Sequence, residues 1–437
     1  MKLFQVDTVA ETRQKMLTAF YEYKLKIQLL NYREVCGFVL AQDLYAQEDI
    51  PGFDRSTVDG YAVRAADTTG AAESIPAFLR CTGKVEMGQA AQLNVGAGEC
   101  AYVPTGGMLP EGSDAMVMVE YCECFGDEGI AVCESVSSGR NVIRRGDDAG
   151  RGQLLLKRGT KLGPRHVGVL AAAGITEVPV YEPLNMTIIS TGDELVLPEQ
   201  KPEEGQIRDL NTAALQAQAQ ETGYCVRGTW VLRDEEEQLT DLIKEARLES
   251  DIVVVSGGSS QGEKDMTAQI FDILTAQIGR GLLTYGMAVK PGKPTIVAYD
   301  AESTCLLIGL PGHPVSAVMV FEILLGWLWR TLSGQQSQYP IEAVLACNVP
   351  GDPGKDTYQP VQLKRIEAES EEEVQEGAAA IEEPSTHCSQ RERDYLAMPV
   401  WGKSGLITRL AQADGYIIID RNQEGVREGE IVKVYLL

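Results

Sequence analysis

At 437 residues the chain can hold about three ordinary domains, and 44% apolar with 23% charged residues excludes a disordered or fibrous protein. Its 39 Lys and Arg against 63 Asp and Glu leave a formal charge of −24. So acidic a surface repels phosphate backbones and anionic headgroups, which argues against nucleic-acid and membrane partners; an anionic substrate must be met by local Lys, Arg, backbone N–H groups or a divalent cation.

Met1 to Gln14 is polar and carries no leader pattern. The longest apolar stretch, Val315 to Trp329, is interrupted by Glu322 and is expected to be too short for a bilayer. Ten cysteines are scattered without a Cys-x-x-Cys pair, and the histidines are His166, His313 and His387. A structural zinc site is not expected; idle thiols in a reducing cytoplasm are, which gives a cytoplasmic localisation.

Thr8-Val9-Ala10-Glu11 is a capping box, and Val9, Met16, Leu17, Phe20 and Leu25 continue at roughly helical spacing. From about Cys36 to Ile143, short apolar runs separated by Gly, Pro and Asp predict a small β-rich domain. Leu154 to Gly174 predicts a strand, then a helix started by Pro164 and closed by Gly174. From Leu184 strands and helices alternate: strands at Met186 to Ser190, Cys225 to Leu232, Asp251 to Val255 and Leu306 to Ile308; helices at Thr212 to Glu221, Glu235 to Leu248 and Val315 to Trp329. Apolar strands in that alternation predict a doubly wound parallel sheet, whose ligands collect at the carboxyl ends of the strands. From about Gln338, short strands and turn signals return, predicting a small β-barrel or sandwich with an acidic solvated loop at Glu367 to Glu383.

The loop Ser256-Gly257-Gly258-Ser259-Ser260-Gln261-Gly262 can turn backbone N–H groups toward an anion, with Asp265 placed to hold a cation beside it. A plain glycine turn with Asp265 as a helix cap is the alternative. Gly258, Ser260 and Gly262 also satisfy the hydrolase elbow, but Ser260 lies five residues beyond Val255 rather than at the strand end. Gly96 to Ala101 fits a dinucleotide fingerprint without a βαβ context and reads as a turn. In Lys290-Pro291-Gly292-Lys293-Pro294 the rigid backbone turns two lysines to one side, suiting a tetrahedral oxyanion, unless they are ordinary surface lysines. Arg144-Arg145-Gly146-Asp147-Asp148 carries charges that could simply be solvated. Leu310-Pro311-Gly312-His313-Pro314-Val315-Ser316 enters a helix whose Ser316 hydroxyl binds an anion or caps the helix. Asp54, Asp59, Asp148, Asp193, Glu194, Asp234 and Asp265 recur at turns. Asp234 and Asp265, each beyond a strand end, suit Mg²⁺, which takes few carboxylates plus substrate phosphates.

Taken in order, Pro51 to Val63, Pro104-Thr105-Gly106, Arg144 to Asp148, Ser190 to Leu195, Ser256-Gly257-Gly258, Lys290 to Pro294 and Leu310 to Ser316 resemble the molybdopterin molybdenumtransferase (molybdenum insertase) family, which includes the C-terminal domain of gephyrin. The resemblance implies an elongated four-part subunit. Its parts are a discontinuous N-terminal domain (1–50 with 149–183), a β-rich insertion (51–148), an α/β domain that binds molybdopterin (184–335) and a C-terminal β-barrel (336–437). It implies a homodimer whose active site lies between the α/β domain of one subunit and the insertion of the other. Adenylated molybdopterin and molybdate would give molybdenum cofactor and AMP with Mg²⁺ assisting, and a molybdopterin adenylyltransferase would be the protein partner.

By position, Asp234 and Asp265 would hold the cation, and Lys290, Lys293, Ser316 and Ser404 would cradle molybdate. Ser256, Gly257 and Gly258 would face the pterin phosphate side, Pro311 and Gly312 would also bind substrate, and Asp59, Thr105, Asp148 and Glu194 would be catalytic residues. The chain departs from the family pattern at His313, where many relatives carry Asn, and at Gly286, where a basic residue is common. Around Tyr358-Gln359-Pro360 it lacks the arginine that relatives often place there. A tungstate-inserting homologue and a dimeric scaffold retaining the fold are the competing readings.

Overall fold

The computed structural model describes residues 6–20, 23–126, 129–257, 266–276, 281–336, 339–366 and 394–437. Gly258, Ser260, Asp265 and the acidic stretch 367–383 lie outside the described residues. Two compact units form: Gln28–Val180, and Met1–Ile27 with Tyr181–Leu437.

The smaller unit is β-rich, as its broken apolar runs require. Its sheet of six strands runs Ala115–Met118, Gly60–Val63, Glu99–Val103, Ala77–Lys84, Gly129–Val132, Cys122–Phe125. Gly60 is obligatory at the sheet centre, because a Cβ there would overlap the Val117 carbonyl oxygen. Gly98 turns with φ +74° into the strand at Glu99, so the fingerprint-like Gly96 to Ala101 is a turn. The helix Pro164–Ala172 has Pro at N1 and is followed by Gly174 at φ +68°.

The larger unit opens with α1 (Val9–Ala19), where Thr8 and Glu11 complete the capping box; Leu25 lies beyond its end. An α/β layer follows: β1 (Asn185–Thr191), α2 (Asn211–Thr222), β2 (Cys225–Leu232), α3 (Glu236–Glu249), β3 (Ile252–Ser256), α4 (Met266–Ala276), β4 (Leu282–Tyr285), β5 (Ile296–Asp300), β6 (Cys305–Leu310) and α5 (Pro314–Ser333). The strand order is β2-β1-β3-β6-β5-β4. The first four are parallel, whereas β5 and β4 join antiparallel. Those two strands carry weaker patterns and escaped the sequence reading; they extend the parallel sheet at one edge. Helices α3 and α4 cover one face and α2 and α5 the other, with Ile189, Val253, Val255, Leu307, Leu239 and Phe271 buried between layers.

Helix α5 corrects the sequence expectation. It spans 20 residues, long and apolar enough to cross a membrane by length and composition, yet 67% of its apolar window is buried inside the protein. Glu322 does not break it but opens a π-helical turn over Glu322–Gly326 and pairs with Arg330 at 2.7 Å. Such a turn frees backbone carbonyls; Arg13 of α1 donates to Ile323 O at 2.7 Å and lies over the Trp327 ring.

The last part is β7 (Ile341–Leu345), β8 (Asp356–Arg365), β9 (Tyr395–Pro399), β10 (Gly415–Ile419) and β11 (Ile431–Leu436). Pairing runs β8-β9-β7-β11-β10 and returns to β8, which closes a five-stranded barrel around Leu345, Val361, Ala397, Ile417 and Val434. The barrel is tied to the α/β layer because Val289–Lys290 adds in parallel to the start of β8.

Candidate active site

The carboxyl ends of β1, β2, β3 and β6 border a cavity of about 640 Å³. Thr191, Gly192 and Glu194 follow β1, Asp234 follows β2, Ser256 and Gly257 end β3, and Pro311 and Gly312 follow β6. Thr191 Oγ1 donates to Asp234 Oδ1 at 2.8 Å, which fixes one carboxylate oxygen, and the Asp234 N–H donates to Asp193 Oδ1 at 3.3 Å. Gly257 holds φ +106°, and a Cβ there would overlap the Thr191 carbonyl oxygen, so the turn after β3 tolerates only glycine. Ser256 is buried and accepts at 2.8 Å from Asn211 Nδ2, which also donates to Gly312 O at 2.9 Å. Asn211 therefore ties the loops after β3 and β6 together at the start of α2. Asp209, also buried, accepts from the Asn211 N–H and from the Thr212 hydroxyl.

A second cavity of about 650 Å³ lies between the α/β layer and the barrel, lined by Lys290, Lys293 and Ser316 from one and Lys355, Lys403, Ser404 and Arg409 from the other. It gathers the local positive charge that the acidic composition demands. Gly292 at φ +121° bends the Lys-Pro-Gly-Lys-Pro segment against Val320, where a Cβ would overlap the valine side chain. Lys290 is not a free cation: its Nζ lies 3.7 Å from Asp352 Oδ2, which Lys355 also holds at 2.9 Å. The Lys355 hydrogen bond, helped by the charges of both lysines, keeps the Asp352 carboxyl below the usual carboxylate range. Burial pushes the Tyr358 hydroxyl in the same wall up to about 12, so it stays a neutral donor.

Ser316 is not the helix cap. His313 occupies that position without a side-chain cap bond, Pro314 is at N1, and Ser316 is buried in the first turn facing the cavity. The imidazole instead reaches the barrel side, where His313 Nδ1 and Ser404 Oγ are 2.8 Å apart. Among the described residues, Pro294, Pro311 and His313 border both cavities.

On the smaller unit, the Thr105 N–H donates to Asp59 Oδ1 at 2.7 Å, so these two expected residues are neighbours. Asp148 is exposed and its N–H donates to Ile50 O. Around it the charges are structured rather than merely solvated: Arg145 pairs with Asp49 at 2.6 Å, and Asp147 accepts from the Arg144 N–H.

For a cation, Asp234 offers a cavity-facing carboxylate beyond a strand end, and its proposed partner Asp265 lies outside the described residues. Among the described residues no group of three or more His, Cys, Asp or Glu could enclose a metal. The nine described cysteines are free thiols.

Sequence reading missed Asn211, Lys355, Lys403 and Arg409 as residues lining the cavities. Lys355 sits in the turn Asp352-Pro353-Gly354-Lys355 and Lys403 beside Gly402 and Gly405, and both segments carry only turn signals. The parallel addition of Val289–Lys290 to β8 sets Lys355 beside Lys290, and the barrel brings Lys403 into the same cavity.

Three family descriptions match in chain order: "MoeA N-terminal region (domain I and II)" over residues 7–174, "Probable molybdopterin binding domain" over 187–329 and "MoeA C-terminal region (domain IV)" over 386–437. The chain is 31% identical over 404 residues to the molybdopterin molybdenumtransferase of Bacillus subtilis, covering 91% of this chain and 87% of that protein. It is 32% identical over 329 residues to the molybdopterin molybdenumtransferase of Haemophilus influenzae, covering 75% and 78%. Among solved structures, a molybdopterin biosynthesis MoeA protein from Pyrococcus horikoshii superposes with a TM-score of 0.74 at 31% identity, over 99% of both chains. With strand-end turns, closed barrel and full-length similarity in agreement, the chain belongs to the molybdopterin molybdenumtransferase (MoeA) family of molybdenum cofactor biosynthesis.

Proposed function

We propose that the protein inserts molybdate into adenylated molybdopterin and releases AMP, with Mg²⁺ assisting. The observation that carries this reading is the pair of adjoining cavities, one rich in lysine and one bearing carboxylates at parallel-strand ends. Two anions must meet on a protein of net charge −24, and each is given its own local counter-charge.

In this reading Lys290, Lys293, Ser316 and Ser404 hold molybdate, with Lys355, Lys403 and Arg409 in place of the arginine absent near Tyr358. Ser256, Gly257, Gly258, Pro311 and Gly312 hold the pterin substrate. Asp234 and Asp265 would hold Mg²⁺, which supplies polarisation of the phosphoanhydride. Water attacks that bond and AMP leaves. Oxo groups leaving molybdenum need protons, and in this reading Glu194, which borders the cavity, relays them. Asp59, Thr105 and Asp148 complete the catalytic set, and a homodimer, a molybdopterin adenylyltransferase partner, the four-part domain division and a cytoplasmic location belong to the same reading.

The test is AMP release from adenylated molybdopterin with Mg²⁺ as molybdate or tungstate is added. Molybdate-dependent release, lost in Asp234→Asn and slowed in Glu194→Gln, is the expected result. Preference for tungstate would change the metal, an unaltered rate in Glu194→Gln would remove its proton role, and no release with either oxyanion from folded protein would favour a scaffold.

A further inference from the structure

We propose that His313 is a proton-coupled positioning residue for the oxyanion: it takes up a proton as a tetrahedral dianion enters the lysine-rich cavity, and so makes that binding weaken as pH rises. The inference rests on the assignment of that cavity to an oxyanion and goes further by naming what tunes it.

Two observations carry it. His313 is the one titratable residue of the three described residues that border both cavities. Its Nδ1 also lies 2.8 Å from the hydroxyl of Ser404, a residue assigned to the anion. Donor arithmetic then couples the two groups. In the Nε2–H tautomer of the neutral imidazole, Nδ1 accepts the Ser404 hydroxyl proton and the hydroxyl is spent, whereas the Nδ1–H tautomer donates to Ser404 Oγ and adds no charge. An imidazolium carries N–H on both nitrogens. Nδ1–H must then donate to Ser404 Oγ, which leaves the hydroxyl proton free to turn to an anion. Protonation thus adds a charge and releases a donor at once.

The surroundings decide when this happens. Facing the lysine-rich cavity are Lys290 and Lys293 from the α/β layer, and Asp352, Lys355, Lys403 and Arg409 from the barrel side. Facing the other cavity are Glu194, Arg208, Asp209 and Asp234. His313 also directly precedes the N-terminus of α5. In the lysine-rich cavity Asp352 pairs with Lys290 and Lys355, while Lys293, Lys403 and Arg409 line the rest. A bound dianion cancels part of the positive charge of that cavity, which favours the imidazolium, so the proton arrives with the anion.

The experiment is calorimetric titration of sodium molybdate into the full-length protein without pterin, in buffers of different ionisation enthalpy, between about pH 6 and about pH 8, a range that spans the ordinary imidazole titration. Wild type is expected to take up a fraction of a proton per anion, with affinity falling about three- to tenfold across that range. His313→Asn and His313→Gln, at an exposed position where both fold, are expected to bind with no proton uptake and a flat profile. Equal proton uptake in wild type and in either variant would overturn the proposal, as would a wild-type affinity that does not change with pH. No saturable molybdate binding by wild type at any pH would overturn the oxyanion assignment of the cavity itself, a different failure from the first two.

Discussion

The two cavities meet at Pro294, Pro311 and His313 but are assembled in different ways. The carboxylate-bearing one is built mainly from turns that each end a strand of one sheet, so most of its wall is local in sequence. The lysine-rich one draws on 290–294, 352–360 and 400–410, and exists only because Val289–Lys290 adds to the barrel at β8. The first is set by backbone conformation, the second by the placement of long flexible side chains. Substitutions should separate them accordingly, with backbone changes costing most.

The largest effect is expected from Gly257→Ala, where strain at φ +106° and overlap with Thr191 O should cost about 2–3 kcal/mol, seen as a lower melting temperature together with lost AMP release. A melting temperature like that of wild type would mean that the turn after β3 is not so constrained. Next, Asn211→Ala leaves Ser256 Oγ and Gly312 O without their shared donor, at about 1–3 kcal/mol. It should weaken binding of adenylated molybdopterin and leave molybdate titration of the apo-protein unchanged; loss of both would join the two cavities into one unit.

Arg409→Ala should do the reverse, weakening molybdate about tenfold for one lost charge-assisted contact while pterin binding holds. The smallest effect has the opposite sign. Asp352→Asn releases Lys290 and Lys355 for the anion and should tighten molybdate binding by about two- to threefold, since exposed ion pairs are weak. Because the Asp352 carboxyl is held below its ordinary value, it stays charged through neutral pH and into mild acid. The difference between variant and wild type should therefore be constant above about pH 5 and vanish only as the carboxyl protonates in stronger acid. A difference that already fades at neutral pH would argue against the pairing.

What the sequence determined by itself was the strand-end chemistry. Apolar strands followed by Gly, Asp or Pro turns predict a parallel sheet and mark Glu194, Asp234, Ser256 and Pro311 as cavity residues, because a strand fixes where its next few residues lie. The Thr8–Glu11 cap and the Pro164 helix start were legible for the same reason, each being a hydrogen bond or a ring constraint spanning about one turn of helix. Only the tertiary structure decided that β4 and β5 extend the sheet antiparallel, that the expected C-terminal barrel closes by pairing β10 with β8, and that α5 runs through Glu322 by a π turn held from Arg13. It alone placed Asp352, Lys355, Lys403 and Arg409 around Lys290, and Ser404 against His313. These contacts join residues tens of positions apart, and a pairing of that kind is fixed by which surfaces bury one another, a quantity no local pattern encodes.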